Sequence, residues 1–530
     1  MLAPRTLLYL LIAAAVGQPG AAPAQSKATR SDDLLNDSID FAGFHLALRP
    51  YARLPESTRN IIQMTTRPGG DRLHVVTENG VVFALAAGAD GAAQPEPWFD
   101  AREAVESATG RRFVFDGRGQ RGLQSLAFHP GFDDPSSRGY GKLYTTYLEE
   151  RPDDTGAHRY LGPDDLGGES IDGVLAEWTY DHESGEVEPA SRRELFRVQM
   201  PEYDHPIKLA QFNPHAEPDG DDYGLLYVTH GDSNVKHSPD DDAQHLDNAL
   251  GKMLRIDPLE TDSAPYGVPA SNPFADAPDA RALREIYAYG FRNPHTFSFH
   301  RDSSNAVHLL VGDIGRNNIE EVDLVVPGGN YGWPEREGTF AHRQAPPGSE
   351  NAGYLTGVSP IPDDEPAGRY RYPVAQYDHD APRGVPSSGN AIATGAVVRS
   401  RRNRQLHNQF LFTDFSTVRG ASVREGEVFA CDLDDMLSAV TTLGDPDSPP
   451  SESDRLRQAA VSKVRLWLDH DLDPTTPPQV FDGFVDLLAT PRTDVRIGVG
   501  PSGEVYFSSK QNGAIYLATD TLPQSKREPD

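Results

Sequence analysis

An aspartate and a histidine stand side by side at Asp204-His205, in the segment MPEYDHPIKLAQF. Histidine titrates near neutral pH, so it can accept a proton at working pH, and a neighbouring carboxylate can fix its tautomer or strengthen it as a base. This pair is therefore the strongest acid/base candidate among the 17 histidines of the chain. The structural alternative is a surface turn, because residues that are adjacent in sequence need not be in contact.

A second group of polar residues lies between Glu285 and Trp333, where three short β-type runs alternate with turns. The positions at the strand ends are Arg292-Asn293, Gly315-Arg316, and Glu321 with Tyr331. Polar groups on rigid neighbouring strands can converge on one bound molecule, so we expect these residues to form a binding site. The alternative is that Arg-Asn-Pro is a simple turn and that Asn-Tyr-Gly-Trp is a corner with a packed indole.

The tract from His230 to Pro258 is rich in Asp, His and Asn, which favours calcium or another hard cation, although its spacing is not that of an EF-hand. The chain has no HExxH, no paired cysteines, no phosphate-loop signature and no GxSxG. A zinc peptidase, a nucleotide hydrolase and an α/β-hydrolase are therefore not indicated. A GxGxxG opening a βαβ unit is also absent, which argues against a nicotinamide cofactor.

The elements that must position these residues recur as pairs of strands. The clearest pair is Asp71–Leu85 (DRLHVVTENGVVFAL), two alternating strands joined by an Asn-Gly turn. Five more pairs follow: Gly141–Tyr147 with Val174–Tyr180, Tyr223–Thr229 with Lys252–Asp257, Val307–Val311 with Glu321–Val326, Gln409–Thr413 with Glu427–Leu433, and Glu504–Ser508 with Ala514–Ala518. Six such units predict an all-β fold, a six-bladed β-propeller of four-stranded antiparallel blades with inserted loops. Two β-sandwich domains are the alternative, but they predict no sixfold recurrence and need a linker that the sequence lacks.

Helices are predicted to be few and short, at Ser31–Leu35, Asp100–Ser107 and Ser453–Ala460. The segments Pro346–Arg371 and Asp445–Asp454 are rich in Pro, Gly, Ser and acids, which predicts surface loops. We expect a signal peptide over residues 1–24, a lead-in with an edge strand over 25–53, the propeller over 54–520 and a polar tail over 521–530.

Composition and the first residues bear on partners and location. The net charge of -30, from 79 acids against 49 bases, argues against nucleic acid or an anionic membrane as partner. Arg5, an apolar run over Leu7–Val16 and small residues up to Ala24 are typical of a secretory signal peptide that is cleaved after Ala24. The run is too short for a membrane anchor, and Cys431 alone offers no internal disulfide, so we expect a soluble periplasmic or secreted protein.

Five motifs, in this order, resemble the soluble glucose/sorbosone dehydrogenase family, which uses pyrroloquinoline quinone (PQQ). They are Gln120-Arg121-Gly122-Leu123 with Leu126-Ala127-Phe128-His129-Pro130, Asp204-His205, Leu250–Asp257, Tyr289–Pro294 and Asn330–Pro334. The resemblance runs from about Pro55 to about Ala518 and implies a six-bladed propeller, in agreement with the strand pairs. It also implies oxidation of an aldose or a related sugar at the end of the propeller channel, with electrons passed to an external acceptor.

The resemblance implies a role for five of the polar residues. His205 matches the general base that takes the proton from the substrate hydroxyl while hydride passes to the quinone, and Asp204 would support it. Gln120, Arg292 and Asn293 match residues that bind or polarise PQQ, and Arg292 would act in catalysis as well. A guanidinium suits this cofactor because its donor fork pairs with carboxylate.

Two calcium ions are implied as well. The backbone carbonyls of Gly315 and Arg316 match a pair that helps to hold calcium on the cofactor, where the ion would polarise the quinone. Glu321 and the carbonyl of Tyr331 match oxygen ligands of a second, structural calcium.

The chain departs from the family pattern at several positions. Ser416 stands near the place where some members present a lysine to PQQ, and Arg419 is the nearest base. The arginines expected before the last blade are matched only loosely, by Arg492 and Arg496, and Arg316 puts a large cation where smaller residues can occur. Loss of its positive partner would leave a cofactor carboxylate unsatisfied, which lowers the binding free energy by about 1–3 kcal/mol.

The sequence therefore predicts a calcium-containing, PQQ-dependent sugar dehydrogenase. The first alternative is a non-catalytic propeller that contains calcium and binds a glycan or a protein. The second is a calcium-dependent propeller hydrolase, acting on a lactone or a phosphoester, in which His205 activates water.

Overall fold

The computed structural model describes residues 39–88, 93–117, 120–162, 170–200, 204–233, 242–261, 263–316, 318–342, 357–362, 364–378, 391–398, 405–414, 426–444, 456–468, 479–490 and 493–523. The expected signal peptide, the expected helix Ser31–Leu35 and the expected loop Asp445–Asp454 lie outside these ranges, as does part of the loop Pro346–Arg371. None of the helices in the described ranges has the length and hydropathy of a membrane span.

Strand β1 (Phe41–Arg53) opens the described chain, and three four-stranded antiparallel sheets follow it. Within each of these sheets the strands are hydrogen-bonded in chain order. The strands are β2 (Ile61–Thr66), β3 (Arg72–Thr77), β4 (Val81–Ala86) and β5 (Glu96–Asp100); β6 (Leu123–Phe128), β7 (Lys142–Glu150), β8 (Ile171–Asp181) and β9 (Glu186–Gln199); and β10 (Ile207–Phe212), β11 (Leu226–His230), β12 (Lys252–Ile256) and β13 (Ile286–Tyr289).

The fourth sheet has an insertion before its last strand. Its first strands are β14 (Pro294–Arg301), β15 (Val307–Asp313) and β16 (Ile319–Val325). A small sheet of β17 (Arg336–Glu337), β18 (Phe340–His342) and β19 (Val358–Ser359) comes next, and β20 (Ala375–Asp378) then completes the fourth sheet beside β16.

The remaining strands belong to one nine-stranded sheet. They are β21 (Ile392–Val397), β22 (Gln409–Asp414), β23 (Val428–Asp432), β24 (Ser462–Leu468), β25 (Val480–Phe481), β26 (Val495–Val499), β27 (Val505–Ser509) and β28 (Ala514–Pro523). Strand β1 lies between β24, to which it is parallel, and β28, to which it is antiparallel. The lead-in was expected to add an edge strand, and this is wrong: β1 is paired on both sides and joins two four-stranded groups.

The first strands of the groups contact one another in a closed ring. Each of β2, β6, β10, β14, β21 and β26 contacts the next, and β26 contacts β2. Residues from all six strands line one cavity of about 330 Å³. The hydrophobic core is divided among clusters between neighbouring sheets, such as the cluster that joins Val76 and Val82 to Leu126 and Trp178.

The predicted strand pairs are confirmed, and each pair forms the two middle strands of a four-stranded group. Alternating residues and turns such as Asn79-Gly80 specify these hairpins locally. The prediction of separate four-stranded blades is confirmed for four sheets, whereas the last two groups share a sheet through β1. The polar tail was expected from residue 521, but β28 runs to Pro523.

Three short helices are present in the described residues: α1 (Ala101–Thr109), α2 (Leu433–Leu437) and α3 (Phe484–Leu488). Helix α1 was predicted, and Asp100 caps it by accepting from the Glu103 amide at 2.9 Å. The helix expected at Ser453–Ala460 is wrong for its described part, because Arg457 exchanges backbone hydrogen bonds with Val440 in a β-bridge. Helices α2 and α3 were not predicted, since five residues are too few to show helical periodicity.

The second sheet buries a guanidinium among three carboxylates. Arg197 on β9 is fully buried and pairs with Asp172 at 3.0 Å, with Glu194 at 2.7 Å and with Glu149. Burial raises the pKa of Glu194, but hydrogen bonds and charge from Arg197 and Arg192 outweigh it and bring that pKa to about 2. The cluster holds strands β7, β8 and β9 together by paired charges.

Arg197→Met would leave three buried carboxylates without their shared cation. We expect the free energy of unfolding, measured by urea denaturation, to fall by about 3–5 kcal/mol. The control is Arg281→Met, which removes a 77% exposed side chain that pairs with Asp279 at 3.1 Å, and its effect should stay below about 1 kcal/mol. Equal losses in the two variants would contradict this role for Arg197.

Candidate functional site

His205 precedes strand β10, is buried, and is held by a carboxylate that the sequence analysis did not select. Its Nδ1 lies 2.6 Å from Oδ1 of Asp232, two residues after β11. Asp204, which was expected to support His205, contacts its backbone and not its ring: the carboxylate accepts from the backbone N–H of His205 at 3.1 Å. Its supporting role stays a prediction. The signal for Asp232 was its place in the polar tract that begins at His230.

Asp232 connects three of the predicted motifs. Its Oδ2 accepts from Trp333 Nε1 at 2.9 Å, and its backbone N–H donates to the carbonyl of Arg292 at 2.7 Å. Gly231 lies between the same segments: a Cβ there would stand 2.7 Å from Cβ of His205 and 3.2 Å from the carbonyl oxygen of Arg292. The close approach of these backbones therefore requires glycine at position 231.

Two residues of this cluster have a left-handed backbone. His205 has φ 51° and Ser233 has φ 56°, a region that residues with a Cβ rarely adopt. Such a conformation costs on the order of 1–3 kcal/mol and persists only where the surroundings fix it. At His205 the hydrogen bonds to Asp204 and Asp232 fix the direction of the imidazole.

Arg292 extends into the same cluster, where two of the three predicted strand-end motifs, Arg292-Asn293 and Gly315-Arg316, meet. Its Nη1 donates to the carbonyl oxygens of Ile314 at 2.8 Å and Gly315 at 2.7 Å. The guanidinium carbon lies 5.5 Å from the ring centre of Trp333, a cation–π distance. The carbonyl of Gly315, a predicted calcium ligand, thus faces a positive group.

Asp313, at the end of β15, fixes the backbone of the Arg292-Asn293 motif. Its two carboxylate oxygens accept from the amide of Arg292 at 2.9 Å and from that of Asn293 at 2.6 Å. Burial raises the pKa of Asp313 to about 7, although these two hydrogen bonds oppose the rise. This carboxyl was not selected from the sequence.

The side chains of Asn293 and Gln120 meet. Asn293 Nδ2 donates to Gln120 Oε1 at 3.4 Å, and Lys208 Nζ donates to the same oxygen. Asn293 is 1% exposed, and its Oδ1 has no hydrogen-bond partner among the described residues. The two amides predicted to bind the cofactor are therefore in contact, and Oδ1 of Asn293 remains available to accept a hydrogen bond from a ligand.

Basic groups surround this place. His295, on β14, is buried, and burial lowers its pKa well below the usual value, assisted by the charges of Lys208, Arg496 and Lys510. Nδ1 of His295 has no hydrogen-bond partner among the described residues. Arg496 was predicted, whereas Lys208, Lys510 and His295 were not. The predicted residues Ser416, Arg419 and Arg492 lie outside the described ranges.

The predicted ligands of the structural calcium lie beside further buried acids. Glu321 and Asp323 share one face of β16, and Asp313 stands opposite Glu321 on β15. Burial, and then the charge of Asp313, raise the pKa of Asp323, and both of its carboxylate oxygens lack a hydrogen-bond partner in the described part of the chain. Glu321 accepts from the Gly338 amide at 2.6 Å.

Tyr331 and Arg316 complete the predicted metal ligands. The ring of Tyr331 stacks on Phe291 at 4.5 Å, and its hydroxyl donates to the carbonyl of Leu324. The amide of Arg316 donates to Glu337 at 2.9 Å, and burial lowers the pKa of its guanidinium. In the described ranges, no three His, Cys, Asp or Glu side chains converge as a metal site.

The tract from His230 to Pro258 lies partly outside the described residues. In its described part, Lys252 Nζ donates to the carbonyls of Asp242, Ala243 and Leu250 at 2.9, 3.1 and 2.5 Å. These three carbonyls therefore bind an ammonium, and the hard cation expected for the tract stays a prediction.

The side chains around His205 and Arg292 can act together because they lie at neighbouring ends of strands. They come from the starts of first strands and the ends of second strands, which are neighbours in an antiparallel sheet, as Ile207 and His230 are. The arrangement offers a proton acceptor at His205 beside donors and cations suited to a planar anion.

Comparison with known proteins adds relatives and a fold. HIPL1 protein of Arabidopsis thaliana is 25% identical over 430 residues, covering 72% of this chain and 56% of that protein. Quinoprotein glucose dehydrogenase B of Acinetobacter calcoaceticus is 25% identical over 240 residues, 42% of each chain. Hedgehog-interacting protein of Mus musculus is 28% identical over 230 residues, covering 43% of this chain and 28% of that protein. The chain thus spans about half or less of the length of these relatives.

A crystal structure of glucose dehydrogenase has the same fold, with a TM-score of 0.51 at 15% identity over 88% of this chain and 97% of that one. Residues 98–359 match the protein family described as Glucose / Sorbosone dehydrogenase, a shorter span than the one predicted. The family predicted from the ordered motifs is thereby confirmed as a match over residues 98–359.

Proposed function

We propose that the protein oxidises an aldose or a related sugar with PQQ as its cofactor and passes the electrons to an external acceptor. The observation that carries the proposal is the Asp232–His205 pair at 2.6 Å, in one cluster with Arg292, Asn293 and Gln120. The family region and the quinoprotein relative support it. Export to the periplasm or out of the cell stays a prediction.

The architecture proposed for this function is a six-bladed propeller. Four blades are the separate four-stranded sheets, and the other two are the halves of the nine-stranded sheet that β1 joins. The closed ring of first strands around one cavity supports this assignment. The site would then lie at the end of the central channel, where all six first strands begin.

The residues present fit a flat tricarboxylate. Arg292, Lys208, Lys510 and Arg496 supply positive charge, and Asn293 Oδ1 and His295 Nδ1 are buried acceptor and ring atoms without partners among the described residues. When bound, PQQ supplies the quinone that accepts hydride from the substrate carbon. Arg292 and Asn293, just before β14, would orient the cofactor. Gln120, just before β6, would also contact it.

His205 and Asp232 would handle the proton. Nε2 of His205 makes no hydrogen bond with the described residues, so it can accept the proton of the substrate hydroxyl. Asp232 Oδ1 accepts from Nδ1, which selects the tautomer with Nε2 unprotonated and stabilises the imidazolium that forms. Trp333 Nε1 donates to the other oxygen of Asp232 and so fixes the orientation of the carboxylate.

Calcium fits two places in this account. Glu321 and the carbonyl of Tyr331 would hold a structural ion, and the unpartnered carboxylate of Asp323 is an additional oxygen donor. The carbonyl of Gly315 accepts from Arg292, and its second lone pair can serve an ion beside the cofactor, together with the carbonyl of Arg316.

A non-catalytic propeller that binds a glycan or a protein is the second candidate. The similarity to Hedgehog-interacting protein favours it. It predicts that calcium raises the melting temperature, that PQQ has no effect, and that substitution of His205 leaves binding intact.

Reconstitution with PQQ and calcium tests the proposal. We expect aldose-dependent reduction of an artificial electron-accepting dye, and His205→Ala should lower turnover by about 100-fold or more while PQQ still binds. The control His308→Ala, in a pair with Asp302 on β15, should keep full activity. Absence of both PQQ binding and turnover would exclude the enzyme and favour the second candidate.

Asp232→Asn should lower turnover by about 100-fold or more, because an amide no longer holds the imidazole in the tautomer that accepts a proton at Nε2. Asp204→Asn makes the same change of charge one residue from His205 and should lower turnover by less than about tenfold, since the Asp204 carboxylate bonds the backbone N–H of His205 and not its ring. Steady-state kinetics with PQQ saturating would measure both. A larger loss in Asp204→Asn would reverse the assignment.

Asp323→Asn should remove most of the increase in melting temperature that calcium gives to the wild-type protein. In the presence of a chelator the same variant should melt at or above the wild-type temperature, because it no longer buries an uncompensated carboxylate. Asp279→Asn, an exposed acid, is the control and should respond to calcium as the wild type does. An unchanged calcium response in Asp323→Asn would remove this residue from the ion site.

A further inference from the structure

Lys208 is a buried cation at the site, and neither the motifs nor the family resemblance gives it a role. It lies on β10, three residues after His205, and is 1% exposed. It lines the central cavity together with His295. Its ammonium donates to Gln120 Oε1, the oxygen that also accepts from Asn293. Lys208 therefore contacts one of the two amides proposed to bind the cofactor, and that amide contacts the other.

A second buried lysine shows what a structural role looks like in this fold. Lys252 is also fully buried, and the carbonyls of Asp242, Ala243 and Leu250 satisfy its three N–H donors. Lys208 uses one of its three donors within the described residues, for the bond to Gln120. The other two donors have no hydrogen-bond partner among the described residues, whereas those of Lys252 do.

The charges around Lys208 favour an additional anion. Glu78 is already paired with Lys510 at 2.6 Å, and Asp204 bonds the backbone of His205. Burial lowers the pKa of Lys208 to about 7; Asp204 and Glu78 oppose this shift, whereas Lys510 and Arg496 add to it. Both acids near Lys208 are thus engaged by other groups, and a ligand carboxylate would give its ammonium a partner of opposite charge.

We propose that Lys208 binds a carboxylate of a ligand held beside Gln120 and Asn293, through its two remaining N–H donors. This rests on the proposed function, in which that ligand is the tricarboxylate PQQ, and it names a contact that the family motifs do not include. It also supplies a positive partner in a chain that has Ser416 where some family members present a lysine.

Binding affinities of Lys208→Met test the proposal without turnover. The dissociation constant of PQQ, followed by quenching of tryptophan fluorescence, should rise by about 10- to 100-fold, the effect of one lost charge-assisted hydrogen bond. The trimethyl ester of PQQ, whose carboxylates are neutral, should bind the variant and the wild type equally. Lys208→Gln, which keeps an N–H donor but not the charge, serves if the methionine variant does not fold.

Lys252→Met is the matched control, since it also removes a buried ammonium from the same sheet. It should lower the melting temperature and leave the affinity of the folded protein for PQQ within twofold of wild type. If Lys208→Met also stays within twofold, the carboxylate contact is refuted, and Lys208 has a structural role only.

A second probe separates failure of this contact from failure of the proposed function. Malonate, a small dicarboxylate, should raise the melting temperature of the wild type at constant ionic strength, and by less in Lys208→Met. If malonate stabilises the wild type but PQQ does not bind, the proposal that PQQ is the cofactor is refuted and the proposal of a carboxylate-binding site is retained. A wild type that responds to neither would overturn both.

Discussion

The buried carboxylate of Asp232 is the contact on which the rest of the site depends. One of its oxygens holds His205 at 2.6 Å, the other holds the indole of Trp333 at 2.9 Å, and its amide bonds the carbonyl of Arg292. Three segments far apart in the chain are thereby fixed relative to one another. A buried carboxylate is costly unless every oxygen has a donor, so this geometry tolerates little change. It also explains why His205 can hold a left-handed backbone and why residue 231 is glycine.

The ring of first strands brings such segments together. In each antiparallel group the start of the first strand lies beside the end of the second, so all groups present these ends on the same side of the ring. This side collects Arg292, Arg496, Lys208 and Lys510 in a chain whose net charge is -30. A group of four bases at one end of an acidic protein is what the binding of an anionic cofactor would require.

The sequence predicted much of this fold because alternation and Asn-Gly turns are local signals, and the six strand pairs are all found as middle strands. It did not predict that β1 joins two groups, because parallel pairing between distant segments leaves no local pattern. Strand-end position correctly grouped Arg292 with Gly315. Adjacency brings the carboxylate of Asp204 to the backbone of His205, while the imidazole finds its partner 27 positions later. Lys208 was overlooked, although a lone lysine within the apolar run IKLAQF was a usable signal.

The tautomer of His205 tests the central claim most directly. In protein labelled with ¹⁵N at histidine, and with His205→Ala to assign the signal, nitrogen chemical shifts at neutral pH report which ring nitrogen carries the proton. The account predicts a proton on Nδ1, directed at Asp232, and an unprotonated Nε2, with this preference lost in Asp232→Asn. A proton on Nε2 in the wild-type protein, or a tautomer that does not respond to loss of the Asp232 charge, would contradict it.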